Sequence, residues 1–173
     1  ALNNNITIIS GGPGTGKTTI INAIVKLYIE KEKLGSADIM ETIALLAPTG
    51  RAAKKMNSST GIPAYTIHRY LKWYKDSNEF VYNEYNKTHH KLIIVDEVSM
   101  IDVDLFNALL NGINSNIKLI LVGDTFQLPS VGPGLVLNEL IESDYFNYIP
   151  LNQIYRQSDN SYIPFLAKEI KNN

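Results

Sequence analysis

The chain has 173 residues, 45% hydrophobic, 9% aromatic and 19% charged, a composition that suits one globular domain and excludes a disordered tail or a fibrous repeat. It has no cysteine, which removes disulfide scaffolds and Cys-ligated metal centres and agrees with a cytoplasmic location. Sixteen basic residues oppose seventeen acidic ones, so any affinity for nucleic acid has to come from a local surface; no apolar run reaches the roughly 20 residues of a membrane span, and no membrane partner is expected.

Ile6 to Ile9 is a short apolar run that ends in a glycine-rich turn and reads as a strand. Thr18 to Glu30 carries Ile20, Ile21, Ile24, Val25 and Tyr28 at helical spacing. Ile43 to Ala47 is a second strand, stopped at Pro48. Arg51 opens a helical segment with Lys54 and Lys55. Leu71 to Lys91 breaks the rhythm. There Trp73, Tyr74, Phe80, Tyr82, Tyr85, His89 and His90 sit among polar residues, and a weak alternation about Val81 predicts a hairpin or excursion over about 71–91. It reads either as a loop packed on the domain or as a stacking surface for nucleic acid. His89 and His90 read as solvated, because adjacent histidines without an acidic partner make a poor metal site. Leu92 to Val95 and Leu119 to Val122 are further strands. Asp102 is an N-cap for a helix from Val103 to Leu110, and Ser161 for a last one from Tyr162 to about Lys171. Runs that are apolar throughout suit strands buried on both faces. Their alternation with helices predicts an α/β fold, a parallel sheet with helices on both faces.

Gly11-Gly12-Pro13-Gly14-Thr15-Gly16-Lys17-Thr18 has the G-x-x-x-x-G-K-[ST] spacing of a phosphate loop. Glycines let backbone N–H groups turn toward an anion, and the following helix aims its positive end at it. Gly12, Pro13, Gly14, Thr15, Gly16, Lys17, Thr18 and Thr19 are therefore the expected cradle for ATP. Lys17 supplies a cation for the phosphates, and the Thr18 hydroxyl is a hard ligand for Mg²⁺. Asp96 and Glu97 follow an apolar run at a strand end, where parallel sheets bind ligands. Asp96 would hold Mg²⁺, and Glu97 would polarise the water that attacks the γ-phosphorus. Asp124, at another strand end, either supports the magnesium shell or caps its turn.

Further segments carry a resemblance. Leu46-Ala47-Pro48-Thr49-Gly50-Arg51-Ala52-Ala53 resembles motif Ia of superfamily 1 helicases, and Thr66-Ile67-His68-Arg69 resembles motif Ib. Asp96-Glu97-Val98-Ser99-Met100-Ile101-Asp102 is similar to motif II, and the run from Gly123 to Gly134 to motif III. Leu151-Asn152-Gln153-Ile154-Tyr155-Arg156-Gln157 resembles motif IV. With the phosphate loop these stand in the family order over residues 11–157. The chain thus resembles the first RecA-like motor domain of the RecD-like DNA helicases of superfamily 1B, which move 5′ to 3′ on single strands. The resemblance implies a P-loop, RecA-like fold. Gln127 would sense the γ-phosphate, and Arg156 would stabilise its charge. Pro48, Thr49, Arg51, Thr66, His68 and Arg69 would line a face for single-stranded DNA. For Arg51 and His68, a solvated helix surface and a structural histidine remain alternatives.

Nothing in the chain resembles motifs V and VI of the second RecA-like domain, so residues 1–173 are expected to be one motor domain cut from a longer protein. Its partners would be single-stranded DNA, the second RecA-like domain and possible nuclease or repair-complex subunits. The isolated chain would bind Mg·ATP weakly and hydrolyse it little. The competing reading is an ATP-gated switch or kinase that never translocates, for which Glu97, Gln127 and motifs Ia and Ib have no use.

Overall fold

The computed structural model describes residues 1–153. Its strands are β1 (Ile6–Gly11), β2 (Ile43–Ala47), β3 (Ala64–Thr66), β4 (Trp73–Tyr74), β5 (Glu79–Phe80), β6 (Leu92–Val95), β7 (Lys118–Gly123) and β8 (Asn147–Leu151). The helices are α1 (Lys17–Glu32), α2 (Ser36–Thr42), α3 (Gly50–Thr60), α4 (Ile67–Tyr70), α5 (Val103–Gly112) and α6 (Val136–Glu142). Six strands form one parallel sheet in the order β3-β2-β6-β7-β1-β8, and β4 pairs with β5 as a separate antiparallel hairpin. Arg156 and the helix expected from Tyr162 to Lys171 lie outside the described residues.

The sheet is buried on both faces, and its side chains divide by the two-residue period of a strand. Ile8, Leu46, Ile93, Val95, Leu119 and Leu121 pack on one face with Ile67 and Tyr70 of α4, Leu109 of α5 and Leu137 of α6. Ile9, Ile43, Leu45, Ile94, Ile120 and Val122 pack on the other with Ile21, Ile24, Val25 and Tyr28 of α1 and Met56 of α3. Each such side chain contributes about 1.5–3 kcal/mol when fully buried. This two-sided demand is why the four central strands read as unbroken apolar runs.

Side-chain caps fix three helix starts. Thr49 accepts from the Ala52 N–H at the start of α3, Thr66 from Arg69 N–H at α4, and Asp102 from Leu105 N–H at α5. The stretch between α4 and β6 opens with a short hairpin, β4 against β5, and runs on from Val81 as bends and loop without a strand. Trp73 and Phe80 face each other across it with ring centres 4.5 Å apart, and His68 sits against both. No helix of the described residues is long and apolar enough to cross a membrane.

Candidate nucleotide and nucleic-acid site

Gly12 to Gly16 connects the end of β1 to α1. Gly14 (φ 82°) and Gly16 (φ 86°) adopt the left-handed backbone that glycine accepts without strain. Gly11 is needed for a different reason: a Cβ there would lie 2.5 Å from Thr15 Oγ1 and 2.9 Å from Leu151 Cβ. The Thr15 hydroxyl donates to the Gly12 carbonyl at 2.8 Å. Lys17 Nζ donates to the carbonyls of Gly11 and Gly12, at 2.5 and 3.0 Å, so its charge is held over the loop. Thr18 and Thr19 stand on the first turn of α1, where unpaired N–H groups and the helix dipole favour an anion.

β7 separates β1 from β6, so the phosphate loop and the Asp96-Glu97 pair flank the end of one strand. Asp96 is buried, and its Oδ1 accepts from the Glu97 N–H at 2.9 Å. Burial pushes the Asp96 carboxyl above its usual range, and the neighbouring Glu97 adds to this. The Glu97 N–H, Lys55 and Lys17 pull it back. Lys55 is a contribution that the sequence does not announce: it belongs to the segment opened by Arg51, yet its charge acts at Asp96.

Glu97 adopts φ 56°, a left-handed conformation that is uncommon for residues with a side chain. Its Oε2 is buried and has no hydrogen-bond partner among the described residues. An acceptor in that condition is poised for a donor from outside the protein, such as water. Asp124, on the intervening strand end, is 2% exposed and accepts from the Phe126 N–H at 3.0 Å. Of the two roles open to it, the turn cap is the one its hydrogen bond performs.

Gln127 is exposed, and its Oε1 accepts from the Ser99 hydroxyl at 3.1 Å. Ser99 lies two residues beyond Glu97, so this bond ties the loop after β7 to the acidic turn. The sequence reading did not single out Ser99 as a partner of Gln127.

Pro48 and Thr49 follow β2, and Thr66 ends β3; the three stand at the same end of neighbouring parallel strands. Arg51 and Arg69 are exposed. Arg69 rests over the Tyr65 ring, 5.3 Å from its centre. His68 is exposed and packed on aromatic rings rather than bonded in the core. His89 is exposed, as expected, yet it does have an acidic partner, Glu41 at 2.9 Å, which sequence proximity could not reveal. His90 is half-buried and bonded to the Tyr70 hydroxyl and the Met40 carbonyl. No cluster of three or more His, Asp or Glu side chains capable of holding a metal occurs among the described residues.

The donor set fits a magnesium nucleotide. The glycine-rich loop, the start of α1 and one lysine offer donors suited to phosphates. Thr18 and Asp96 offer the one or two protein oxygens that Mg²⁺ takes when phosphates complete its shell.

Comparison with known proteins gives a consistent picture. Residues 1–133 match the AAA domain family. A RecBCD enzyme subunit RecD from Mycolicibacterium smegmatis is 36% identical over 159 residues, covering 82% of this chain and 28% of that protein. An ATP-dependent RecD2 DNA helicase from Deinococcus radiodurans is 39% identical over 153 residues, covering 88% of this chain and 20% of that protein. The chain therefore spans between a fifth and a third of the length of these relatives. Among solved structures, the Pif1 helicase from Candida albicans superposes with a TM-score of 0.71 at 22% identity, covering 98% of this chain and 41% of that one. That likeness concerns the fold: a six-stranded parallel sheet flanked by helices.

Proposed function

This chain belongs to the AAA domain family as a RecD-like P-loop motor domain, and from that premise we propose that it is the ATP-binding motor domain of a DNA helicase, which hydrolyses ATP together with a second RecA-like domain. The observation that carries the reading is Glu97: a buried carboxylate oxygen without a partner among the described residues, beside Asp96 and one strand away from the Lys17 loop. A kinase needs no water-activating carboxylate there, whereas a hydrolase does.

ATP is the substrate. The backbone of Gly12 to Gly16 and the Lys17 ammonium hold its phosphates, and Thr18 and Asp96 would hold Mg²⁺, which supplies charge neutralisation across the phosphates. Glu97 orients and polarises a water, which forms a new bond to the γ-phosphorus. The bond to the bridging oxygen breaks, ADP leaves with the electron pair, and the water proton passes through Glu97. Gln127 would sense the γ-phosphate, and Arg156 would reach it from motif IV. A planar guanidinium matches the spread negative charge of such a transition state.

Pro48, Thr49, Arg51, Thr66, His68 and Arg69 would form the contact to single-stranded DNA, through phosphates and sugars rather than base edges. A second RecA-like domain would close on the nucleotide, so that ATP binding and hydrolysis alternate two states with different affinities for the strand. Movement would run 5′ to 3′. Nuclease or repair-complex subunits are the further partners proposed, and the location proposed is cytoplasmic.

The test is binding of a fluorescent ATP analogue to the full-length protein and its Lys17→Ala variant, with unwinding of duplexes tailed at either end. The reading requires that Lys17→Ala loses nucleotide affinity or turnover and that only 5′-tailed duplexes open. Equal nucleotide binding and turnover in both proteins would refute it.

A further inference from the structure

A cavity of about 190 Å³ opens beside the edge strand β3, where α4, the segment after β5 and the approach to β6 meet. The strands β2, β6 and β7 lie between it and β1, so it is remote from the phosphate loop. Its wall carries Tyr65, Arg69, Lys72, Tyr82, His89 and His90. Tyr70 and Thr88 are buried beneath; the Tyr70 hydroxyl bonds Thr88 Oγ1 at 2.9 Å and His90 Nδ1 at 3.0 Å.

The wall holds no carboxylate. Glu41, of α2, pairs with His89 of the wall. The two permanent cations rest on rings: Arg69 over Tyr65 at 5.3 Å and Lys72 over Tyr82 at 5.0 Å. Such contacts, worth about 0.5–1 kcal/mol at exposed sites, orient a cation without neutralising it. An anion entering here meets two directed positive charges and breaks no ion pair of Arg69 or Lys72 among the described residues.

We infer that this cavity is a second contact for single-stranded nucleic acid, taking one phosphate and one base of a strand that continues past Thr66 and Arg69. The inference rests on the proposed reading of the chain as a DNA motor and extends it to residues outside the helicase motifs. Continuity supports it: Thr66 caps α4, and Arg69, whose N–H it accepts, also lines the cavity. Chemistry supports it as well. Phenol faces and a guanidinium plane are stacking platforms that tolerate any base, and the cations track the backbone. Size sets the stoichiometry. Pockets that enclose whole drug-sized ligands run about 300–1,000 Å³, so this smaller one accepts a single nucleotide unit and not a free triphosphate. The chain carries a net charge of −1, and a local cluster of this kind is how such a protein attracts a polyanion.

The experiment is fluorescence anisotropy of the full-length protein with labelled oligothymidylates of increasing length, each at several salt concentrations, for wild type and Lys72→Gln. Lys72 is exposed, and glutamine is unbranched at Cβ like lysine and one atom shorter, so it asks the same of the backbone at φ 55° while removing the charge. Each lost phosphate contact on a single strand makes the slope of log affinity against log salt shallower by about 0.7. The expected result is that loss for Lys72→Gln on long oligomers, and no change on oligomers too short to reach past Arg69. Strands carrying iodouracil should crosslink to Tyr65 or Tyr82. Identical slopes at every length, crosslinks confined to other residues, or equal competition by oligoglutamate of matched charge would each overturn the inference. Wild type that binds strands while the variant is unaffected refutes this site alone. Wild type that binds no strand refutes the motor reading together with it.

Discussion

Glu97→Gln should make the protein more stable and less active. Glu97 Oε2 is buried without a partner among the described residues, and its charge pushes the buried Asp96 carboxyl further up. An unmet buried acceptor costs about 1–3 kcal/mol. Glutamine has the same shape and asks the same of the backbone at φ 56°, but carries no charge. The glutamine amide is unmet there too, so the gain is that of removing the like charge beside Asp96, about 1 kcal/mol at most, which is about 2–4 °C in melting temperature for a domain of this size. Loss of the water-activating carboxylate should lower turnover by about 10²- to 10⁴-fold. Thermal melting and phosphate release on one preparation read both effects. A melting temperature that falls while hydrolysis persists near the wild-type rate would refute the reasoning, since Glu97 would then be a structural residue.

Asp102→Ala removes the acceptor for the Leu105 N–H at 2.8 Å and should cost about 1 kcal/mol, read as a lower urea midpoint, with Asp102→Ser retaining most of the stability. Gly11→Ala places a Cβ 2.9 Å from Leu151 Cβ and 3.2 Å from its carbonyl; the displacement of β8 or the loop should cost about 1–3 kcal/mol and weaken binding of an ATP analogue. Burial lowers the His90 pKa, and His89 lowers it further, against the Met40 carbonyl and Glu41, which raise it. A histidine with a depressed folded value stabilises above the ordinary 6.5 and loses that contribution as pH falls through the folded value. An NMR titration of the His90 ring should give a pKa below 6.5, and a value above it would contradict the burial. Ser99→Ala frees Gln127 Oε1 and should reduce stimulation of hydrolysis by DNA more than basal hydrolysis, measured as the ratio of the two rates.

Physical reasons decide which parts the sequence made legible. β1, β2, β6 and β7 are buried on both faces, and such strands leave unbroken apolar runs. β3 and β8 flank the sheet, and their residues are half-buried or exposed; Pro150 also breaks the apolar pattern of β8. Neither leaves a run to read. α2 buries none of its residues and so has no apolar stripe. The phosphate loop and acidic pair are contiguous in the chain, and their chemistry is visible in residue type and spacing. The Glu97 backbone conformation, the charge of Lys55 at Asp96 and the Ser99–Gln127 bond arise only when separate segments meet. The same holds for His89, whose partner Glu41 lies 48 residues away in sequence, and for the cavity lined by β3, α4 and the approach to β6.

Phosphate release from ATP by the full-length protein, with and without single-stranded DNA and beside Glu97→Gln, tests the central claim most directly. The account predicts hydrolysis that DNA strongly stimulates and that Glu97→Gln abolishes in both conditions. Hydrolysis indifferent to DNA would remove Pro48, Thr49, Arg51, Thr66, His68 and Arg69 from the strand contact and contradict the assignment of this chain to a nucleic-acid motor.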